Sequence, residues 1–408
     1  MLTRFRVKNY KSIRDEIILD MRAVAISEHK KQVVSVKNDD KFLPVAVFYG
    51  PNGSGKSNVL EALRALCHYV TKPVLAVRGE EMRSIPITPF LSEEFRELPT
   101  EFEVSFVDQL SLHMPEEKGY EYRYALHVRE KRVIYECLKR RKLTKGRWSN
   151  LFTRDKNGIS LKDEFEKMDK CEDIPEHLAF LSWLGITQGR NVLISGIMDW
   201  FTGRINFLNY SDPACDVSIY IGQSDLGILS NQILKNIDPD IEDVITEGGE
   251  EWPQIYIRRN MNGRMVNFSF DMESSGIQKL YGIIPLIAKS LLFGETLVVD
   301  ELDTKLHPMV IRRIMEFYTD IENVNHSGAQ LIFTSHDLPT MSIDLLRRDE
   351  IWFVEKDESL VSVLSRLTDK KREKGDAVRK DAKFDKQYME GKYGALPKLS
   401  DDSLEMEI

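Results

Sequence analysis

The spacing of hydrophobic and polar residues changes several times along the chain, and each change predicts a different element. Alternation through Phe5-Arg6-Val7 predicts a strand near the start. Residues 44–49 form a continuous apolar run, which is typical of a strand buried on both faces of a mostly parallel sheet. After Ser57, apolar residues recur three and four positions apart, so an amphipathic helix follows directly.

The middle of the chain has two further patterns. From Phe102 to about Arg141 apolar residues alternate with polar ones, which predicts an antiparallel sheet. Residues from about 160 to 245 are predicted to be mostly helical, without the sustained heptads of a long coiled coil. Asn262-Gly263 then separates two alternating runs, which predicts a β-hairpin.

After residue 275 helices and short buried strands alternate. We predict helices at 278–292 and 310–318, strands at 296–299 and 330–334, and a final pair of strands at 351–354 and 361–364. This order favours an α/β sheet. We expect an N-terminal lobe (1–150) with an antiparallel subdomain, a mostly helical insertion (151–248), a C-terminal lobe (249–368) and a charged tail (369–408).

Composition and charge exclude some classes of protein. The chain is 42% hydrophobic and has a net charge of −8, so it is neither globally disordered nor a wholesale basic nucleic-acid coat. Its four cysteines are far apart and form no C-x-x-C pair, which indicates reduced core residues. The N-terminus lacks an apolar signal region, and no uncharged run reaches about 18 residues. We therefore expect a cytoplasmic protein with no membrane partner.

The clearest motif is residues 50–57, Gly-Pro-Asn-Gly-Ser-Gly-Lys-Ser, which match the pattern G-x-x-x-x-G-K-[ST] in full. Glycines let backbone N–H groups surround a phosphate, and the following helix adds its positive dipole. Lys56 supplies a charge for the β- and γ-phosphates, and the Ser57 hydroxyl is placed to ligate Mg²⁺. The residues predicted to bind the nucleotide in and beside this loop are Gly50, Asn52, Gly53, Ser54, Gly55, Lys56, Ser57 and Asn58.

Two acids end the apolar strand at 297–299. Asp300 is predicted to be the second anchor of the metal, and Glu301 to polarise or deprotonate the attacking water. Taken alone, this pair could equally be an ordinary helix cap. Because a phosphate-binding loop is also present, we favour the catalytic interpretation.

His336 follows a third buried strand, in the run Thr334-Ser335-His336-Asp337. A residue at the carboxyl end of a strand in an open α/β sheet lies at the ligand crevice. Because this histidine comes after the two acids in the chain, we predict that it contacts the γ-phosphate, although a lone histidine is more often structural.

A second anion site is predicted just before the helix at 278–292. Ser275 and Gly276 would lie at its N-terminus, where a hydroxyl and free N–H groups can meet a phosphate. An ordinary helix cap is the alternative, and it would be preferred if the other motifs were absent.

Together these motifs resemble the ABC-type ATPases of the SMC and recombination-repair branch. Residues 50–57 are similar to their Walker A motif, 274–278 to their signature, Asp300-Glu301 to Walker B and His336 to the switch histidine. The start at 5–13 also resembles theirs. More narrowly, residues 300–308 and 388–397 resemble the short bacterial AAA-family ATPases of phage-defence and abortive-infection operons, of the RloA, AbiLi and AriA type.

The resemblance implies a fold, cofactors and partners. The fold would be an α/β P-loop NTPase with a mixed sheet like an SMC head, an antiparallel β lobe and a helical insertion. The cofactors would be ATP and Mg²⁺, and two chains would share each site. A separate effector, such as a Toprim-type nuclease, would act in anti-phage defence, since too few residues follow His336 for a second catalytic domain.

This sequence departs from the family pattern in three places, one of which is the lack of a convincing Q-loop glutamine. Ile277 replaces a second signature glycine, so only Ser275 and Gly276 carry over, and His307 takes the position of the D-loop acid. Residues 388–397 carry no visible chemistry, and we interpret them as a docking segment.

Other functions remain open on the sequence alone. The basic stretch Lys139, Arg140, Arg141 and Lys142 could contact a nucleic-acid backbone, but a solvated strand end is at least as good an interpretation. A DNA-repair ATPase and a slowly hydrolysing, ATP-stabilised scaffold are the alternatives. Glu301 favours hydrolysis, because a scaffold needs no acid beside the metal.

Overall fold

The computed structural model describes residues 1–36, 40–80, 85–108, 119–143, 146–168, 173–208, 224–247, 254–370 and 383–397. The strands of this part are β1 (Leu2–Lys8), β2 (Ile17–Asp20), β3 (Val34–Val36), β4 (Asp40–Phe42), β5 (Val45–Tyr49), β6 (Thr100–Val107), β7 (Tyr120–Arg129), β8 (Arg132–Lys142), β9 (Ser149–Asp155), β10 (Gly158–Leu161), β11 (Ile205–Leu208), β12 (Ile241–Glu247), β13 (Gln254–Met261), β14 (Arg264–Ser269), β15 (Thr296–Val299), β16 (Gln330–Thr334), β17 (Ile351–Lys356) and β18 (Ser362–Arg366). The α-helices are α1 (Lys56–Val77), α2 (Glu93–Arg96), α3 (Phe180–Thr187), α4 (Val192–Gly203), α5 (Asp225–Ile237), α6 (Ser275–Phe293), α7 (Pro308–Thr319) and α8 (Phe384–Met389).

A six-stranded sheet in the order β11-β15-β16-β5-β17-β18 forms the centre of the fold. The first five strands are parallel, and β18 returns antiparallel to β17. Because carboxyl ends of parallel strands meet at one edge, the residues that follow β5, β15 and β16 come together there. Those residues are the P-loop, the two acids and His336. The α/β P-loop fold predicted from the sequence is therefore confirmed.

Both faces of this sheet are buried, as the apolar run at 44–49 predicts. Along β5, Ala46 and Phe48 join one hydrophobic core, whereas Val45, Val47 and Tyr49 join the other. The side chains of a central parallel strand point alternately to the two faces of the sheet, and both sets must be apolar because both faces are buried. The strand therefore fixes the P-loop from behind through contacts on both sides.

The first core lies between the central sheet and a seven-stranded antiparallel sheet, ordered β10-β9-β8-β7-β6-β1-β2. Helices α1, α3 and α4 contribute to it, and Trp200 of α4 stacks on Phe106 of β6 with ring centroids 4.2 Å apart. The alternation from residue 102 onward predicts this antiparallel lobe correctly, but the sheet continues to Leu161 rather than ending near 141.

The second core is formed by α5, α6, α7 and the segment 384–395 against the other face of the central sheet. By length and composition alone, α6 could cross a membrane, but about half of it is buried inside this protein. Lys279 on α6 donates hydrogen bonds to three backbone carbonyls, including that of Thr304 at 2.7 Å. We therefore interpret α6 as a core helix.

The prediction that residues 160 to 245 are mostly helical is partly wrong. Helices α3, α4 and α5 are there, but so are β11, an edge strand of the central sheet, and β12 of a three-stranded sheet with β13 and β14. Strand β11 has only four residues and includes Asn206, whose amide bonds Glu295. Four residues, one of them polar, are too few to show a hydrophobic period. The pairing of β11 with β15 could therefore not be predicted from the sequence.

The segment that we interpreted as a docking segment packs on the central sheet of its own chain. Tyr388 and Tyr393 both stack on Phe353 of β17, with ring centroids 5.6 and 5.4 Å away. The Ala395 N–H donates to Glu355, also on β17, at 2.7 Å.

Residues 371–382 and 398–408 of the charged tail lie outside the described residues. Of the cysteines, Cys67 and Cys137 are buried and free, whereas the other two lie outside the described part.

Candidate active site

The P-loop connects β5 to α1 and needs glycine at two close approaches. At Gly50, φ is 153°, and a Cβ atom there would collide with the Val354 carbonyl oxygen. At Gly55, φ is 105°, and a Cβ atom would collide with the Ser362 hydroxyl. Strand β17 and the start of β18 therefore pack directly behind the loop, and only glycine permits this packing.

Lys56 folds back over the loop that it belongs to. Its ammonium group donates to the carbonyl oxygens of Gly50 and Pro51 at 2.8 and 3.1 Å. Burial lowers the pKa of Lys56 to about 8, although Asp300, Asp303 and Glu301 raise it. The charge of Lys56 thus lies near these acids, while its present partners are neutral carbonyls that a phosphate could replace.

The other predicted loop residues divide into buried and exposed ones. Ser54 is 2% exposed, and its buried hydroxyl has no hydrogen-bond partner. Asn52, Gly53 and Ser57 are exposed, so they are accessible to a ligand. The Asn58 amide donates to the Ser12 hydroxyl at 2.6 Å, which ties the first turn of α1 to the turn between β1 and β2.

Thr334 at the end of β16 holds the two predicted acids. Its hydroxyl donates to Asp300 at 2.6 Å and accepts the Glu301 N–H at 2.7 Å. Glu301 has a positive φ of 54°, which is unusual for a residue with a side chain. Such backbone strain is typical of functional sites, where the surrounding contacts maintain it.

His336 lies beside the same acids. Its backbone N–H donates to one carboxylate oxygen of Asp303 at 2.7 Å, and the other oxygen of Asp303 is buried without a partner. Burial lowers the pKa of His336, and the nearby charge of Lys56 lowers it further, against the pull of the acids. A neutral imidazole has one N–H donor and one acceptor, which suits a contact to phosphate oxygen.

Ser275 and Gly276 form the first turn of α6. Ser274 is the N-cap residue and accepts the Ile277 N–H at 3.4 Å, while Ser275 is exposed. Within the described residues, no recorded hydrogen bond joins Ser275 or Gly276 to the P-loop of the same chain. Lys279 instead ties this helix to the backbone of residues 301–304, and burial lowers the pKa of Lys279 to about 8.

A cleft of ≈ 550 Å³ opens beside the P-loop. Its walls are the loop rim, the β17–β18 turn, and the residues Ser335, His336, Leu338, Tyr388, Leu396 and Pro397. The structure thus brings the P-loop, the acids and His336 to one edge of the sheet.

The basic stretch at 139–142 is partly neutralised by neighbouring acids. Arg140 pairs with Glu164 at 2.5 Å and stacks on Tyr120, and Arg141 pairs with Glu121 at 2.5 Å. A nucleic-acid backbone would have to displace these carboxylates.

The residues present fit a bound nucleotide and metal. The orphaned Ser54 hydroxyl, the glycine cradle and Lys56 on exchangeable partners all match a triphosphate. Within the described residues, no group of three or more His, Cys, Asp or Glu side chains could hold a metal alone. Mg²⁺ is commonly held by few protein ligands plus phosphate oxygens, so Ser57 and Asp300 would be its protein ligands here.

Comparison with known proteins identifies the family. A family described as "AAA domain, putative AbiEii toxin, Type IV TA system" matches residues 45–188 and 218–342, which is more than half of the chain. The chain belongs to that AAA-domain family. The matched segments include the P-loop, both acids and His336. Among curated proteins, no sequence matches this AAA-domain protein.

Solved structures similar to this AAA-domain chain include SMC heads. One is an Smc head bound to the C-terminal winged-helix domain of ScpA, with 13% identity, a TM-score of 0.46 and coverage of 89% of this chain and 96% of that one. A Pyrococcus furiosus Smc head with an extended coiled coil and the ScpA C-terminal domain has 14% identity, a TM-score of 0.42 and coverage of 90% and 96%. A third, from work on ATP-driven dimerisation and DNA-stimulated activation of SMC ATPases, has 13% identity, a TM-score of 0.28 and coverage of 35% and 83%.

Sequence reasoning missed several residues that shape this AAA-domain site. Thr334 forms hydrogen bonds with both acids, and Asp303 accepts one from the backbone of His336. Lys279 donates hydrogen bonds to the turn after Glu301. Thr334 and Asp303 lie inside the quoted motifs. Their positions next to strand ends could therefore have indicated that they hydrogen-bond to the predicted site residues. Ser362 contacts the P-loop from more than 300 residues away, and no local pattern indicates it.

Proposed function

We propose that this AAA-domain protein binds Mg·ATP, hydrolyses it, self-associates, and controls a separate effector in bacterial anti-phage defence. The observation that carries the proposal is the convergence of Lys56, Asp300, Glu301 and His336 at one edge of the central sheet. Strands β5, β15 and β16 are adjacent and parallel, so the residues that follow them lie at the same edge, where the Thr334 hydroxyl hydrogen-bonds to both acids.

Each residue has a role in the proposed reaction. Lys56 leaves its carbonyl partners and binds the β- and γ-phosphate oxygens, while Ser57 and Asp300 hold the metal. Glu301 orients a water molecule for attack on the γ-phosphorus and accepts its proton. His336 donates its imidazole N–H to a γ-phosphate oxygen. The metal supplies charge stabilisation for the developing negative charge.

Self-association is proposed because, in the part of the chain that the structure describes, no hydrogen bond joins Ser275 or Gly276 to the P-loop of the same chain. Ser275 is exposed at the N-terminus of α6, where free N–H groups and the helix dipole favour an anion. We propose that Ser275 and Gly276 of one copy bind the γ-phosphate held by the P-loop of another. Each site is then complete only when two copies meet.

The proposed role in defence is supported by the family description, which mentions an AbiEii toxin and a type IV toxin–antitoxin system. The effector is proposed to be a separate polypeptide such as a Toprim-type nuclease. The DNA-repair alternative is less well supported, because two of the four basic residues at 139–142 are already paired with carboxylates. The scaffold alternative leaves the strained position of Glu301 without a purpose.

The test begins with Lys56→Ala, measured by titration with a fluorescent ATP analogue. No other residue of the loop offers a charge between the phosphates, so binding should be lost. Lys72→Ala, on the same helix, is the control and should bind like wild type. Unchanged affinity in Lys56→Ala would contradict the proposed ATP site. Purification together with the product of the neighbouring gene, with and without ATP, then tests the proposed effector.

A further inference from the structure

Three hydroxyl or amide contacts run behind the P-loop as a continuous series. The Asn58 amide nitrogen lies 2.6 Å from the Ser12 hydroxyl, and Ser12 lies 2.7 Å from the Ser362 hydroxyl. Ser362 in turn lies 2.6 Å from the Ser54 carbonyl oxygen. The series joins α1, the β1–β2 turn, β18 and the P-loop, which are distant in sequence.

Counting protons fixes the direction of every bond in the series. A carbonyl oxygen only accepts, so the single hydroxyl proton of Ser362 must go to Ser54. The contact between Ser12 and Ser362 then needs the proton of Ser12, and Ser12 must accept from the Asn58 amide. If the oxygen and nitrogen of the Asn58 amide were exchanged, one of the three short contacts would have no hydrogen between its two heavy atoms.

This direction has two consequences for the loop. Ser12 donates its only hydroxyl proton to Ser362, so the Ser12 hydroxyl is not a hydrogen-bond donor to phosphate. The peptide between Ser54 and Gly55 is trans, so its C=O and N–H point in opposite directions. Holding the Ser54 carbonyl toward Ser362 therefore turns the Gly55 N–H away from β18, toward the side where a phosphate would bind.

Packing and burial keep this series in place. Ser362 is 2% exposed, and its own N–H donates to the Ser12 carbonyl at 2.9 Å. The absence of a side chain at Gly55 is what lets both hydroxyls approach, since a Cβ atom there would lie 2.8 Å from the Ser12 oxygen. Buried, mutually polarising hydrogen bonds of this kind hold a backbone peptide in one orientation.

We infer that Ser12 and Ser362 are positioning residues that preset the Ser54–Gly55 peptide of the P-loop for phosphate binding. The inference rests on the proposed ATP site and adds to it Ser12, from the start at 5–13, and Ser362, which lies in none of the quoted motifs. Neither residue is expected to touch the reacting atoms.

The decisive variant is Ser362→Ala, which removes the bond to Ser54 and leaves Ser12 without an acceptor. We expect ATP affinity to fall about tenfold, in line with the loss of one net hydrogen bond. KM should rise with kcat nearly unchanged, because the peptide binds phosphate equally in the ground and transition states. Ser365→Ala is the matched control, since Ser365 is on the same strand and its buried hydroxyl has no partner. It should bind ATP like wild type.

Ser12→Ala separates positioning from direct contact. It leaves the Ser362–Ser54 bond in place, so we expect only about a threefold loss of affinity, and the double variant should be no weaker than Ser362→Ala alone. If Ser12→Ala lost more affinity than Ser362→Ala, Ser12 would be a phosphate donor and the inference would be wrong. This variant also decides the matter if Ser362→Ala does not fold, since wild-type affinity or a loss beyond tenfold would then overturn the inference.

Lys56→Ala distinguishes failure of this inference from failure of the proposed function. If Ser362→Ala binds ATP normally while Lys56→Ala does not, the ATP site stands and the positioning role is refuted. If both variants bind normally, the ATP site itself is wrong.

Discussion

Glu301 combines its proposed catalytic role with a costly backbone conformation. A positive φ at a residue with a side chain costs on the order of 1–3 kcal/mol, and the bond from the Glu301 N–H to Thr334 helps to maintain it. The Thr304 hydroxyl also donates to the Glu301 carboxylate at 3.4 Å. These contacts hold the backbone of Glu301 and orient its carboxylate.

We therefore predict that Glu301→Gln binds ATP but hardly hydrolyses it. Glutamine keeps the shape and the hydrogen bonds and removes the base, so turnover should fall at least about a hundredfold. Phosphate release under steady-state conditions measures the effect. Glu322→Gln, on an exposed loop, is the control and should be fully active. Normal hydrolysis by Glu301→Gln would favour the scaffold interpretation.

Lys56 gives the site a dependence on pH. Its pKa in the free protein is lowered to about 8, and a bound phosphate would raise it. Above pH 8 the complex then holds one more proton than the free protein, so affinity should fall as pH rises, by up to about tenfold per pH unit. Titrations between pH 7 and 9.5 measure this. Lys56→Arg, which stays charged, should bind with little dependence on pH, and an equally steep profile in that variant would exclude Lys56 as the titrating group.

At the residue scale, the sequence was informative wherever function demands a contiguous motif. The P-loop, Asp300-Glu301 and His336 each follow an apolar strand, and the parallel sheet then brings them together. Thr334 was visible but had no assigned role. The contacts of Ser362 could not be predicted, because they depend on how β18 packs behind a loop more than 300 residues earlier.

At the scale of elements, strand β17 joins the P-loop to the docking segment. Its Val354 carbonyl lies against Gly50, its Phe353 packs under Tyr388 and Tyr393, and its Glu355 binds Ala395. The sequence indicated the two terminal strands through their local apolar patterns, and the docking segment through the family resemblance alone. It could not indicate that the segment forms a wall of the cleft, because that depends on tertiary packing across a stretch outside the described residues.

We predict that Tyr388→Ala releases the docking segment locally. The substitution removes a 6% exposed ring from Phe353 and the bond from its hydroxyl to Ala395, at a cost of roughly 2–4 kcal/mol. Amide hydrogen exchange should therefore rise over 384–397 while the central strands stay protected. Tyr388→Phe keeps the stacked ring and should lose only about 1 kcal/mol. Met389→Ala, exposed on the same helix, should not change exchange. Unchanged protection in Tyr388→Ala would show that the ring does not hold the segment.

At the scale of the whole molecule, the two helix ends predicted to bind an anion belong to helices of different hydrophobic cores. The P-loop leads into α1, whereas Ser275 begins α6 on the other core, and Lys279 anchors α6 to the turn after Glu301. We propose that the two ends that act on one phosphate come from different copies. ATP binding and self-association would then be thermodynamically linked, each strengthening the other by the same factor.

Ser275→Arg tests this linkage, because it places a bulky charge at the proposed seam and leaves the P-loop of its own chain intact. We expect this variant to bind ATP weakly and to lose the steep dependence of hydrolysis on protein concentration. Leu292→Arg puts the same charge near the opposite end of α6 and should hydrolyse ATP cooperatively, like wild type. Mixing Ser275→Arg with Lys56→Ala should restore at most one composite site per pair, since the first supplies only an intact P-loop and the second only an intact α6 N-terminus. Wild-type hydrolysis by Ser275→Arg, linear in protein concentration, would mean that each chain contains a complete site.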